Sequence, residues 1–252
     1  MSSWDQLRTE LDLWQSEGRV ATAWWRDDDA VTVTPELETL LGFEQDYNVP
    51  LALAVIPASL QDDLVERLVE TIDTRVLQHG WAHQNNMPEG RKKQELDDIR
   101  DVDAVIADLK QGFAVLSSRF GNRFLPVIVP PWNRISDDVA AALHNIGICG
   151  LSTFNARKKP EPYKGVLQVN THVDVIDWRG TRGFVGEDAA LGAMIAHLSA
   201  RRQGDVDPQE PTGILTHHLV HDAPTTQFLD NLFSMEHSAL SWLRIPGVFP
   251  WQ

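Results

Sequence analysis

Short apolar runs alternate along this chain with segments whose apolar positions recur every three or four residues. The runs at 20–25, 51–56, 75–78, 124–129, 148–153, 166–169, 173–176 and 213–216 predict strands. The intervening patterns predict helices. Residues 1–19 place Trp4, Leu7, Leu11 and Trp14 on one face, and Thr34-Pro35 opens a helix carrying Leu37, Leu40 and Leu41. Ser59 caps a stripe of Leu60, Leu64, Leu68 and Ile72; further helices are expected at 95–119, from Ser136 to a terminating Gly147, at 187–202 and at 225–242. Strand–helix alternation of this kind calls for parallel strands joined by crossover helices. At 252 residues it suits a (β/α) barrel, with an open doubly wound sheet as the alternative.

A hydrophobic content of 42% over this length is enough for one full core, so the chain is expected to be a single domain, 1–252, with the amphipathic helix 1–19 packed on it. The formal net charge of −14 argues against a nucleic-acid partner. The basic runs Arg91-Lys92-Lys93 and Arg157-Lys158-Lys159 read as solvated loop faces. No glycine-rich loop follows the first strand; Arg26-Asp27-Asp28-Asp29 stands there and would repel a pyrophosphate. One cysteine, Cys149, excludes an intrachain disulfide framework. With no apolar run near the ~18 residues a membrane span requires and no leader-like N-terminus, a cytoplasmic protein without membrane insertion is expected. Oligomeric state is left open.

Chemistry-bearing residues cluster just after the predicted strands. His79 and His83 lie four apart, a spacing that on a helical turn directs both imidazoles to one metal ion. The Asp27-Asp28-Asp29 cluster offers the hard oxygen ligand that would complete a two-histidine site. A metalloprotease pair would need Glu after the first histidine, where this chain has Gly80. Pro130-Pro131-Trp132-Asn133, Asp177-Trp178 and His217-His218 follow later strands, and in a parallel barrel all these strand ends open onto one face.

Taken in order, these segments resemble the five motifs of the NodB-homology polysaccharide deacetylases, carbohydrate esterase family 4, over nearly the whole chain. Arg26-Asp27-Asp28-Asp29 is similar to the family's Thr-Phe-Asp-Asp, and His79-Gly80-Trp81-Ala82-His83 to its His-Ser/Thr-x-x-His with glycine in the Ser/Thr slot. Val129-Pro130-Pro131-Trp132 resembles Arg-Pro-Pro-Tyr, Asp174-Val175-Ile176-Asp177-Trp178 matches Asp-x-x-Asp-Trp, and Leu215-Thr216-His217 matches Leu-x-His. The likeness implies a distorted, NodB-like (β/α) barrel of about seven parallel strands.

It also implies metal-dependent hydrolysis that removes an N-acetyl or related acyl group, a C–N bond outside peptides, from a small-molecule or oligosaccharide substrate. The cofactor implied is one divalent ion, zinc first, with cobalt, manganese or nickel also accommodated. Asp29, His79 and His83 are the implied ligands, Asp28 the base and His217 the acid. A second register makes Asp27 the base and Asp28 the ligand, so Asp27 stays among the catalytic candidates. Trp132, Trp178, Pro131 and Asn133 are expected against the substrate, with Arg26, Asp174, Asp177 and His218 in support. Asp174 or Asp177 would orient His217 through its second ring nitrogen. The family arginine before the double proline is Val129 here, and Arg26, two residues before Asp28 on a strand, is expected to replace it ahead of Arg134. A non-catalytic carbohydrate-binding relative and a cyclic-amide or ureide hydrolase on the same fold are the competing readings.

Overall fold

A computed structural model describes residues 2–250. Met1, at the start of the expected 1–19 helix, lies outside the described residues, as do residues 251–252. The first helix is α1 (Ser3–Ser16), capped by Ser2, whose hydroxyl accepts from Asp5 N–H while the Asp5 carboxylate accepts from Ser2 N–H. Its Leu7, Leu11 and Trp14 are buried.

The strands are β1 (Ala21–Ala30), β2 (Leu51–Val55), β3 (Arg75–His79), β4 (Phe124–Val129), β5 (Gly150–Leu151), β6 (Leu167–Gln168), β7 (Val173–Asp174), β8 (Thr212–Thr216) and β9 (Leu240–Trp242). The remaining helices are α2 (Pro35–Tyr47), α3 (Asp62–Leu68), α4 (Val102–Phe120), α5 (Asp137–Ala142), α6 (Glu187–Gln203), α7 (Ala223–Phe233) and α8 (Ile245–Val248). Every pairing between named strands is parallel, in the order β6-β5-β4-β3-β2-β1-β8-β7, with β9 added beside the start of β1. The sheet curls into a half-barrel that is open between β6 and β7. This is the distorted (β/α) barrel expected, with nine strands among the described residues rather than about seven.

Both faces of the central strands are covered, which is why β2 reads as an unbroken apolar run. Trp24 and Trp25 lie at opposite faces of β1. Trp24 packs edge-on against Phe249, and Trp25 packs against Phe233. Helix α1 packs on α6, where Arg202 forms an ion pair with Glu10.

The expected Ser59-capped helix starts later, at Asp62 after Gln61, and ends at Leu68, which leaves Ile72 exposed rather than on the buried stripe. Two more expected helices are also shorter than their periodicity suggests. The helix expected at 95–119 begins only at Val102; Glu95 and Asp97 turn inward, and the Asp97 carboxylate accepts from the backbone of Ile99 and Arg100. The helix expected at 225–242 stops at Phe233, and its last apolar residues form β9. In the last two cases a tertiary contact outcompetes local pattern: Glu95 is drawn to the Trp81 and Ala82 N–H groups, and β9 pairs with β1.

One irregularity positions the site. Opposite β2, Asp27 is in register with Leu53 and Ala30 with Val55, so β1 holds one extra residue there. The bulge centres on Asp29, whose φ of 74° is left-handed. Strand alternation sends Arg26 and Asp28 to one face and Asp27 to the other. The bulge then turns Asp29 back, so two consecutive carboxylates reach the same side.

Candidate metal centre

At the C-terminal ends of the strands lies a cavity of about 500 Å3, lined by Asp28, Asp29, His79, His83, Trp132, Asn133, Asp174, Trp178 and His217, among others. Its deep end holds one carboxylate between two imidazoles. Asp29 Oδ1 lies 3.0 Å from His79 Nε2 and 3.3 Å from His83 Nε2.

These donors suit a divalent cation. Ligand bonds of about 2.0–2.1 Å around tetrahedral zinc place neighbouring ligand atoms about 3.3 Å apart, close to the spacing found. His79 Nδ1 donates to the Val129 carbonyl at 2.9 Å, which leaves the Nε2 lone pair free to face the centre. Burial, then the neighbouring His79, pushes His83 below its ordinary pKa and favours the neutral, ligating form. Burial works against ionising Asp29. With His79 protonated on both nitrogens, a form that Asp29 favours by raising the His79 pKa against burial, hydrogen bonding from His79 and nearby imidazole charge hold the Asp29 carboxyl well below its usual range; a bound cation would take the place of the Nε2 proton.

The two histidines do not share a helical turn, contrary to expectation. His79 ends β3, and His83 sits in the following loop with φ of 54°. The chain folds back through Gly80, φ 59°, where no side chain fits: a Cβ there would lie 1.9 Å from Glu95 Oε2 and 2.8 Å from the Pro131 ring. The buried Glu95 carboxylate accepts from Trp81 N–H at 3.2 Å and Ala82 N–H at 2.7 Å. It therefore braces the loop from the space that a Ser or Thr at position 80 would need.

Asp28 is held differently. Arg26, fully buried, forms a bidentate pair with it, Nε to Oδ1 at 2.8 Å and one terminal nitrogen to Oδ2 at 2.9 Å. The rest of the guanidinium donates to Ser152 and to Asn133 Oδ1. Arg134 points elsewhere, to the Lys93 carbonyl. His217 Nε2 lies 3.9 Å from Asp28 Oδ2 across the cavity.

Asp27 requires a correction. It faces away from the cavity, where it accepts from Thr216 Oγ1 at 2.7 Å, His218 N–H at 2.9 Å and His218 Nδ1 at 2.5 Å. Burial of both groups is outweighed by their mutual attraction, which lowers the Asp27 pKa and raises that of His218. Asp27 is thus absent from the cavity lining, and the carboxylate grouped with His79 and His83 is Asp29 rather than Asp28. His218 is likewise placed away from the cavity, paired to Asp27.

Neither Asp174 nor Asp177 reaches the second nitrogen of His217. The Asp177 carboxylate accepts from the backbone of Arg179, Gly180 and Thr181 and so closes a turn. Asp174 accepts from Trp178 Nε1 at 2.8 Å, and the Trp178 ring stands edge-on to His217 with centroids 4.7 Å apart. Asp174 therefore meets His217 only by way of the Trp178 indole, and the His217 Nδ1 atom is buried without a hydrogen-bond partner among the described residues. Burial raises the Asp174 pKa.

Trp178 and Trp132 wall the cavity on opposite sides, Trp132 packing on His83 with centroids 4.4 Å apart. Trp132 and Asn133 take left-handed φ values of 56° and 54°, a conformation that costs non-glycine residues about 1 kcal/mol or more each. The Arg26–Asn133 bond helps hold them there. Pro131 does not face the substrate space; it is buried under Gly80.

The cavity also has members the sequence pattern does not single out: Lys93, Phe154 and Arg179, with Arg134 beside them. Lys93 belongs to the basic run read as a solvated face, and only the fold brings that loop to the cavity. Adjacency to Trp178 was the one available signal for Arg179.

A second group, His172, His197 and Glu210, is buried elsewhere and brings three potential ligand atoms together. Its hydrogen bonding opposes a cation. Gly213 N–H donates to His172 Nδ1 at 3.0 Å, so the neutral ring carries its proton on Nε2, the atom that would have to ligate. The two rings stack face to face, centroids 3.4 Å apart, instead of converging.

No protein-family model matches the sequence, and no curated protein does. Solved structures do match. The peptidoglycan deacetylase PdaC from Bacillus subtilis superposes with a TM-score of 0.56 at 13% identity, covering 91% of this chain and 92% of that one. A family 4 acetyl xylan esterase from Clostridium thermocellum, in complex with a cobalt ion, gives 0.52 at 15% identity with 90% of each chain covered. A mutant of BA3943, a family 4 pseudoenzyme with restored enzymatic activity, gives 0.53 at 15% identity, covering 85% of this chain and 62% of that one. The fold of this chain is that of the family 4 polysaccharide deacetylases.

Proposed function

We propose that this chain is a divalent-metal-dependent hydrolase that removes an N-acetyl or related acyl group from a carbohydrate or sugar-like substrate, with residues 1–252 acting as one catalytic unit. One observation carries the reading: the Asp29–His79–His83 donor set opens into a cavity that also presents a carboxylate, Asp28, and an imidazole, His217. A bound ion, zinc by preference, would acidify water and polarise the acyl oxygen.

Asp28 is the base. Arg26 holds both its oxygens in a fixed plane, so one carboxylate face stays aimed at the cavity to take a proton from the attacking water. His217, on the far side, delivers a proton to the departing amine, without which the tetrahedral intermediate collapses back to the amide. The walls Trp132 and Trp178 offer flat apolar faces of the kind a pyranose ring covers. Arg26 also answers the main reason for a non-catalytic reading, since it gives Asp28 the guanidinium partner that Val129 cannot.

Protein purified without chelator should contain about one divalent ion per chain and should release amine from N-acetylated sugar oligomers. Chelation should stop turnover, and zinc or cobalt should restore it. His79→Ala should lose the metal. Unchanged metal content in that variant would end the metalloenzyme reading.

A further inference from the structure

We infer that the substrate carries an anionic group, a carboxylate or a phosphate, close to the acyl amide that is cleaved. This inference rests on the hydrolase reading above and concerns the same cavity.

The chain has 36 acidic and 22 basic residues, so a surface cation has acids in excess to pair with. Yet Lys93, Arg134 and Arg179 all line this one cavity. Among the described residues none of the three has a carboxylate within 4.0 Å, and neither does Arg182 beside them. Their placement follows the aromatic walls. Lys93 Nζ lies 5.9 Å from the Trp132 ring centre, and the Arg182 guanidinium carbon 5.9 Å from that of Trp178, so cations flank both walls. Arg134 donates to the Lys93 carbonyl at 2.8 Å and fixes that loop at the mouth.

The acids of the cavity do not cancel this charge. Asp28 is matched by Arg26, and the charge of Asp29 would be met by the ion it helps hold, which leaves Asp174, bonded to the Trp178 indole, as one carboxylate against the three cations. The outer part of the cavity is therefore positive in a molecule that is otherwise strongly negative. Such a mouth excludes nothing neutral, but it selects and steers an anion whose charge sits beside the walls. Exposed cations contribute modestly one by one, and three together give about a tenfold preference.

Three probes separate the sources of charge: N-acetylglucosamine, N-acetylmuramic acid with its carboxylate, and N-acetylglucosamine 1-phosphate. Binding of each is measured calorimetrically to zinc-loaded His217→Ala protein, in which turnover is slowed, with and without Lys93→Gln and Arg179→Gln. At low salt one or both charged sugars should bind about tenfold more tightly than the neutral one. The charged sugar that wins identifies carboxylate or phosphate. Added salt should erase the advantage, and the paired Lys93→Gln, Arg179→Gln substitutions, which leave Arg134, should cut it to about twofold. Equal affinity for all three sugars would overturn the inference, and so would an advantage undiminished by the paired substitutions. Failure of the hydrolase reading would register separately, as absent metal or absent amine release from the unsubstituted protein.

Discussion

Asp27 offers the sharpest test, because its neighbours Asp28 and Asp29 differ from it only in the direction they face. Its carboxylate satisfies three buried donors, two of them on His218, and that residue follows His217 in the chain. Asp27→Ala would leave the His218 imidazole and amide without a partner in a site where both side chains are essentially inaccessible. Removing one member of a buried pair costs about 3–5 kcal/mol, a large share of the roughly 5–15 kcal/mol that stabilises an ordinary domain. Asp27→Asn keeps the shape and one acceptor, and about 1–3 kcal/mol is expected, the cost of a buried donor left unsatisfied. Urea denaturation of both variants at neutral pH measures the two values. Metal content should remain near one per chain in Asp27→Asn, since Asp29 is untouched. Turnover should fall through looser placement of His217, by much less than in Asp28→Asn, where loss of the base costs on the order of 10²- to 10⁴-fold. Equal loss of turnover in Asp27→Asn and Asp28→Asn, with little change in stability, would refute the assignment of the two faces.

Three further outcomes are expected. His217→Ala should keep its metal and lose on the order of 10²- to 10⁴-fold on amides but much less on activated esters, whose leaving groups need no proton; parallel losses in a side-by-side rate assay would remove the acid role. Burial, then the charge of His172, lowers the His197 pKa to about 2. Because the unfolded chain then binds a proton near pH 6.5 that the folded chain refuses, stability is full above that pH and falls below it by about 1.4 kcal/mol per unit from His197 alone. Urea midpoints at pH 7 and 5.5 should show this decline, and His197→Gln should flatten it; identical slopes would contradict it. Asn133→Ala removes an acceptor of Arg26 and a residue suited to a left-handed turn, so Asp28-dependent turnover should drop several-fold with metal content unchanged, which metal analysis and kcat measured together would check.

Much of this could be read from the chain, and the failures have identifiable causes. Alternating apolar runs located the sheet because both faces of β2 and β3 are buried, and buried parallel strands leave a signature in composition. The donor set Asp29, His79 and His83 was legible because each lies at or just beyond a strand end. What alternation alone could not give was Asp29 on the same side as Asp28, since that depends on a one-residue bulge that local sequence does not encode and that leaves Asp27 alone on the other face. The inward turn of Glu95 was hidden for a related reason: helical periodicity continues through a segment whose carboxylate is drawn off by two backbone N–H groups 13 and 14 residues earlier. Lys93 reaches the cavity through loop packing alone.

The brace at Gly80 has an evolutionary consequence. Position 80 and position 95 occupy the same space, so their identities cannot vary independently. Restoring the family's serine at Gly80 would drive its side chain into the Glu95 carboxylate and the Pro131 ring while forcing a left-handed φ on a residue that resists it. Truncating Glu95 alone would strip two N–H groups of their acceptor. Each single step is harmful, and only a joint exchange, with the backbone of the loop re-set, leads from one solution to the other. Such sign epistasis separates lineages: once a chain carries the glycine–glutamate pair, it drifts without returning to the serine form. The cluster of Asp29, His79 and His83 stays intact in space while the residue between the two histidines changes.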